Sequence, residues 1–148
     1  MKYLSKIVFG IFALAAVFMA CEKVGDLPYY NNGSPVVLSS STATIAPVPA
    51  DSNKTVLTLN WTSPNYGTTE STYKYVIEID STGRNFSKEY TRTVTGITST
   101  ALTTSFTAKE LNAILLGYGF NFGVAYTMDV RITSSYGNNN EQLASNVL

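Results

Sequence analysis

The sequence predicts an all-β sandwich with one short helix near residues 108–116. Three observations carry that prediction. Six or seven short runs alternate apolar with polar residues, the period of a half-buried strand. Gly, Pro, Asn and Ser turns separate these runs at intervals of eight to twelve residues. The period changes to that of a helix only at Thr107, so a helical layer is not available.

Pro35-Val36-Val37-Leu38 is the first expected strand, which Ser39 to Thr44 extend on an edge; Pro47 and Pro49 exclude a central strand beyond it. After a turn at Asp51-Ser52-Asn53, Thr55 to Trp61 puts Leu57, Leu59 and Trp61 on one face, as core. Ser63 to Gly67 closes that strand with a loop. Tyr73 to Asp80 is the clearest strand. Tyr73, Tyr75, Ile77 and Ile79 are expected inward, with Lys74, Val76, Glu78 and Asp80 on a mostly wet face. Ser81-Thr82-Gly83 turns the chain into an edge strand within Phe86 to Thr95. Leu102, Thr104 and Phe106 then alternate against Ala101, Thr103 and Ser105.

Thr107 followed by Glu110 reads as a capping box, and Leu111, Ile114 and Leu115 recur at helical spacing until Gly117 is expected to stop the helix. With no second helix to pack on, this one should close an end or edge of the β body. Tyr126 to Thr133 alternates again, with Tyr126, Met128, Val130 and Ile132 inward. Gly137 to Asn140 is a turn, and Ser145 to Leu148 starts a last strand that ends with the sequence. Trp61 and the tyrosine opening the penultimate strand are expected together between the sheets. Without a cysteine pair the antibody-type disulfide is excluded, and the arrangement looks like an immunoglobulin-like sandwich of the fibronectin type III kind.

The first 21 residues have a different character. Lys2 and Lys6 flank a run of fourteen uncharged residues, Ile7 to Ala20, which stops at Cys21, the one cysteine of the chain. A positive flank and a short apolar core make a secretory signal, and the run is too short for a comfortable membrane span. Ala20-Cys21 resembles the end of a bacterial lipoprotein lipobox, although Phe18 and Met19 depart from the usual residues. That resemblance implies cleavage before Cys21 and lipid on it. The expected organisation is a signal peptide at 1–20, a flexible tether at 21–34 and a sandwich at 35–148.

Composition narrows the function. Loss of Lys2 and Lys6 leaves 8 basic against 10 acidic residues, a net charge of −2. No basic patch or charge run is present, which argues against nucleic acid. Histidine is absent, and no cysteine remains beyond Cys21. The common zinc sites and histidine-based triads therefore cannot be built, and no metal, cofactor or catalytic residue is expected. Glu78, Asp80 and Asp129 are carboxylates, but a glycosidase pair needs a cleft and these are expected on wet faces of a sheet. Arg131 is likewise expected outward.

The ordered set Leu57-Thr58-Leu59-Asn60-Trp61, Tyr75 to Asp80 with Gly83 and Phe86, Phe106 to Leu115, and Val130-Arg131-Ile132 resembles the N-terminal domain of SusE-type outer-membrane lipoproteins of starch and glycan utilisation systems. The resemblance spans about Pro35 to Leu148. It implies an immunoglobulin-like domain, a lipid anchor, a cell-surface position, and a TonB-dependent transporter with its lid lipoprotein as partners. The family carries its sugar-binding residues in later domains, so none is carried over, and the chain resembles a truncated or stand-alone spacer domain. Two functions compete: a non-catalytic, lipid-anchored spacer, and a module that holds starch or another glycan through loop tyrosines. Tyr29, Tyr30, Tyr66, Tyr118 and Tyr136 are expected in loops or the tether, and Tyr66, Tyr118 and Tyr136 are the candidate glycan contacts, since an apolar ring face suits a sugar ring. Ordinary loop and hinge packing is the competing reading of the same tyrosines.

Overall fold

A computed structural model describes residues 31–67, 73–95 and 102–148, without the side chains of 93–95. The expected signal peptide, Cys21, Tyr29 and Tyr30 lie outside these residues. The strands are β1 (Leu38–Ser40), β2 (Thr55–Trp61), β3 (Tyr73–Ser81), β4 (Tyr90–Thr95), β5 (Thr103–Thr107), β6 (Met128–Tyr136) and β7 (Leu143–Ala144). The helix α1 (Ala108–Gly117) joins β5 to β6. All pairing is antiparallel, in a three-stranded sheet ordered β1-β2-β5 and a four-stranded sheet ordered β4-β3-β6-β7. The two sheets form a β-sandwich.

Their inner faces meet in one core. β2 contributes Leu57, Leu59 and Trp61, β3 contributes Tyr73, Tyr75, Ile77 and Ile79, and Phe106 and Ile132 come from β5 and β6. These are the positions that alternation selects, because successive side chains of a strand point to opposite faces. Trp61 does not meet Tyr126. Its ring partner is Tyr75, while Tyr126 sits before β6 and stacks on Phe120.

The lateral seams between the sheets are closed by polar side chains. On one side the Asn146 amide accepts from Leu38 N at 2.8 Å and donates to Leu38 O at 3.1 Å, imitating a strand partner for β1. On the other, Arg92 of β4 donates to Ser105 O of β5 at 3.0 Å, pairs with Glu110 at 2.8 Å and lies 3.8 Å over the Phe106 ring. Each bond uses an edge group that would otherwise face water or another chain.

Thr107 caps α1 with the reciprocal Thr107–Glu110 capping box. Ala108 and Ile114 are its buried residues, and it closes the end of the body where β2 begins, with Ala108 N donating to Lys54 O and Lys109 N to Ser52 O. The stop is not Gly117, which remains helical. Gly119 has φ +80°, and Gly119 N→Leu116 O with Phe120 N→Leu115 O completes a Schellman motif. At the first strand, pairing starts at Leu38 instead of Pro35, and Val37 N donates to the Thr62 hydroxyl. After β7 the chain stays beside β6: Ser145 N bonds Ile132 O, and Leu148 and Val130 exchange backbone hydrogen bonds.

Candidate functional site

The outer face of β3 is not wet. Asp80 is fully buried and Glu78 nearly so. The cause is the turn after β3, which folds back over that face. Asn85 and Phe86 take left-handed φ values of 53° and 56°, and Phe86 is buried outside the main core. Arg131, directly opposite Glu78 in the β3–β6 ladder, lies 4.1 Å over the Phe86 ring and grips Glu78 with two hydrogen bonds of 2.9 Å. Thr133 donates to the same carboxylate at 2.6 Å. Burial alone would raise the Glu78 pKa, but the Arg131 and Thr133 hydrogen bonds outweigh it and hold the carboxyl below its ordinary value. Asp80 accepts from Ser81 N at 2.8 Å and Lys88 N at 3.4 Å, with Arg84 at 3.5 Å. Asp129 accepts from the Thr82 hydroxyl. These carboxylates tie the turn to the sheet. They are engaged acceptors, and the depressed pKa of Glu78 is unsuited to a general acid at neutral pH.

Two of the three candidate tyrosines are core residues. Tyr66 is fully buried and Tyr136 is 8 % exposed. With Tyr73 they form an aromatic cluster at the end of the body where β1 starts: Tyr66–Tyr136 centroids are 4.5 Å apart, Tyr66–Tyr73 5.2 Å. Tyr136 is the last residue of β6, not a loop residue. The Tyr66 hydroxyl donates to Glu141 O at 2.6 Å and is 3.1 Å from Ser134 Oγ, and burial raises its pKa above the ordinary value. Tyr136 Oη reaches both Asn31 O (2.8 Å) and Tyr66 O (2.7 Å). Neither ring offers a face to a sugar; both are consumed in packing and hydrogen bonding.

Tyr118 lies at the opposite, helix end and is half-buried. Its hydroxyl donates to Ile79 O and accepts from Tyr90 N at 2.7 Å, pinning the chain after α1 to the start of β4. Burial again raises this phenol's pKa. An aromatic row continues from it: Tyr118–Phe120 centroids lie 5.7 Å apart, and Phe120 stacks on Tyr126 at 3.9 Å. Tyr126 Oη accepts from Asn121 N. Beside this row Phe122 is 74 % exposed, and Val124 and Leu116 are also exposed. No charged residue occurs from Leu111 to Thr127. Of these aromatic residues the sequence marks only Tyr118 as a candidate contact; the signal for Phe120 and Phe122 is an uncharged stretch with two phenylalanines between glycines.

Among the described residues no three His, Cys, Asp or Glu side chains come together as a metal site. None of the described helices is long and apolar enough to cross a membrane. No curated protein and no solved structure matches the chain. The family model described as SusE outer membrane protein matches residues 24–133, most of the sequence. That span takes in β1 to β5, α1 and β6 as far as Thr133, including Trp61, the Glu78–Arg131 pair and the capped helix. The chain belongs to the SusE outer membrane protein family, and its place is the outer membrane.

Proposed function

We propose that the chain is a non-catalytic, lipid-anchored spacer and interaction domain of an outer-membrane glycan-uptake complex, held through lipid on Cys21. The observation that carries this reading is the fate of Tyr66 and Tyr136: two of the three tyrosines that the sequence offers to a sugar are spent inside the sandwich. Membership of the SusE family supports the system, and the apolar run ending at Cys21 supports the anchor. Acyl chains there would bind the bilayer at about 0.8 kcal/mol per buried methylene. In this reading the chain from Cys21 is the tether, shorter than the expected 21–34 because Asn31 and Ser34 are already bonded to the body. The sandwich stands at the cell surface, and the partners are a TonB-dependent transporter and its lid lipoprotein. No cofactor is required.

A second reading, a glycan-contacting module, is supported by the aromatic row of Tyr118, Phe120 and Tyr126 with exposed Phe122 beside it. Calorimetry separates the two. The spacer reading expects no saturable heat with starch or other glycans. Millimolar or tighter binding lost in Tyr118→Ala or Phe122→Ala would replace it with the second. Affinity capture of the intact lipoprotein tests the complex: recovery of a transporter and lid lipoprotein is expected, and recovery of neither would contradict it.

A further inference from the structure

The segment between Asn31 and Leu38 is bonded to both sheets, although almost none of it is regular strand. On the side of the three-stranded sheet, Val37 N donates to the Thr62 hydroxyl at 2.9 Å and Thr62 N to Val37 O at 3.2 Å, ahead of the β1–β2 ladder. On the loop between β2 and β3, Asn31 N donates to Tyr66 O and Ser34 N to Pro64 O, both at 2.8 Å. On the side of the four-stranded sheet, the Tyr136 hydroxyl of β6 faces the carbonyls of Asn31 and Tyr66 together, and Asn146, in the chain that follows β7, holds Leu38. One phenol thus ties the arm and the loop to the same strand. Val36 and Leu38 are buried, so the arm also completes the core.

Gly33 makes the close fit possible. It has φ +72°, and a Cβ there would stand 2.4 Å from the Tyr66 ring and 2.8 Å from Pro64 O. Only glycine allows both that backbone and that approach. A ring packed on a glycine, a strand-end hydroxyl shared by two carbonyls and a side-chain amide standing in for a strand make a specific seat for this arm.

We propose that residues 31–38 are a latch, which seats on the Tyr66–Tyr136 cluster and fixes the direction in which the preceding chain leaves the body. A freely jointed tether would let the sandwich tumble at the surface. A seated arm sets its attitude, with the helix end and its exposed Phe122 at the far end of the sandwich from the point of attachment. That consequence rests on the anchored reading above, whereas the latch itself does not, and the experiment addresses the latch.

Hydrogen exchange on the full chain in detergent, followed by mass spectrometry, tests it with Tyr136→Phe, which keeps the ring and removes the hydroxyl. The latch predicts that amides of the 31–38 peptide exchange at least about tenfold faster, while those around Ile77 and Ile132 are unchanged. Gly33→Ala, which keeps every hydroxyl, must give the same local pattern. Unchanged exchange in the arm of Tyr136→Phe would overturn the latch, since the hydroxyl would then not be holding it. An equal acceleration throughout the sandwich would overturn it too, because Tyr136 would be holding the core as a whole.

Discussion

Trp61 of β2 and Tyr75 of β3 pack against each other across the two sheets, ring centroids 5.3 Å apart and planes inclined at 54°. Both are buried in the core between the sheets. Tilted aromatic pairs of this kind contribute about 0.5–1.5 kcal/mol beyond the burial of their area. Trp61→Ala removes the pair and leaves a large cavity, at an expected cost of about 3–5 kcal/mol. Denaturant unfolding measures it, and a loss below about 1 kcal/mol would mean the site collapses freely.

Glu78 gives a pH signature. Its folded pKa lies below the ordinary 4.5, so the Arg131 and Thr133 bonds stabilise the fold fully above that value. The contribution is lost as pH falls from there through the folded pKa. In Arg131→Met, burial acts on a carboxylate that keeps only Thr133, so this slope should vanish or reverse sign. Unfolding free energies of parent and variant between about pH 3 and 6 decide it; identical slopes would show that Arg131 does not hold the carboxylate.

The two glycines at the end of α1 should respond in opposite directions. A Cβ meets nothing within 4 Å at either Gly117 or Gly119, so only the backbone decides. Gly119→Ala, at φ +80°, should cost about 1–2 kcal/mol. Gly117→Ala, in the last helical position, should stabilise by up to about 1 kcal/mol. Equal effects would refute the Schellman assignment.

Thr107→Ala should lower stability by about 1 kcal/mol through loss of the N-cap. Thr107→Ser should retain most of it, because the capping oxygen remains. Thermal unfolding of the pair checks this, and a serine as damaging as alanine would move the cause to the lost methyl group.

What alternation and local chemistry encode was legible in the chain: Leu57, Leu59 and Trp61 inward, Tyr73 and Tyr75 in the core, the capping box at Thr107. What the sequence hid is non-local. The wet face expected for Glu78 and Asp80 is covered by Phe86 and its turn, and nothing in the period of β3 announces a cover. Tyr66 looks like a loop residue beside Pro64, Asn65 and Gly67, yet its partners Tyr136 and Ser134 lie about 70 residues away. Gly117 and Gly119 flank one tyrosine, and only backbone conformation reveals which of them ends the helix. The candidate site suffered most, because loop tyrosines share one sequence signature whether they face a ligand or the core.

The anchor is the claim on which the spacer account depends most directly. Expression of the full chain and of Cys21→Ser, followed by separation of outer-membrane and soluble fractions, measures it. The account predicts the parent in the outer membrane and the variant released from it. A variant that remains in the membrane fraction as fully as the parent would contradict the lipid anchor.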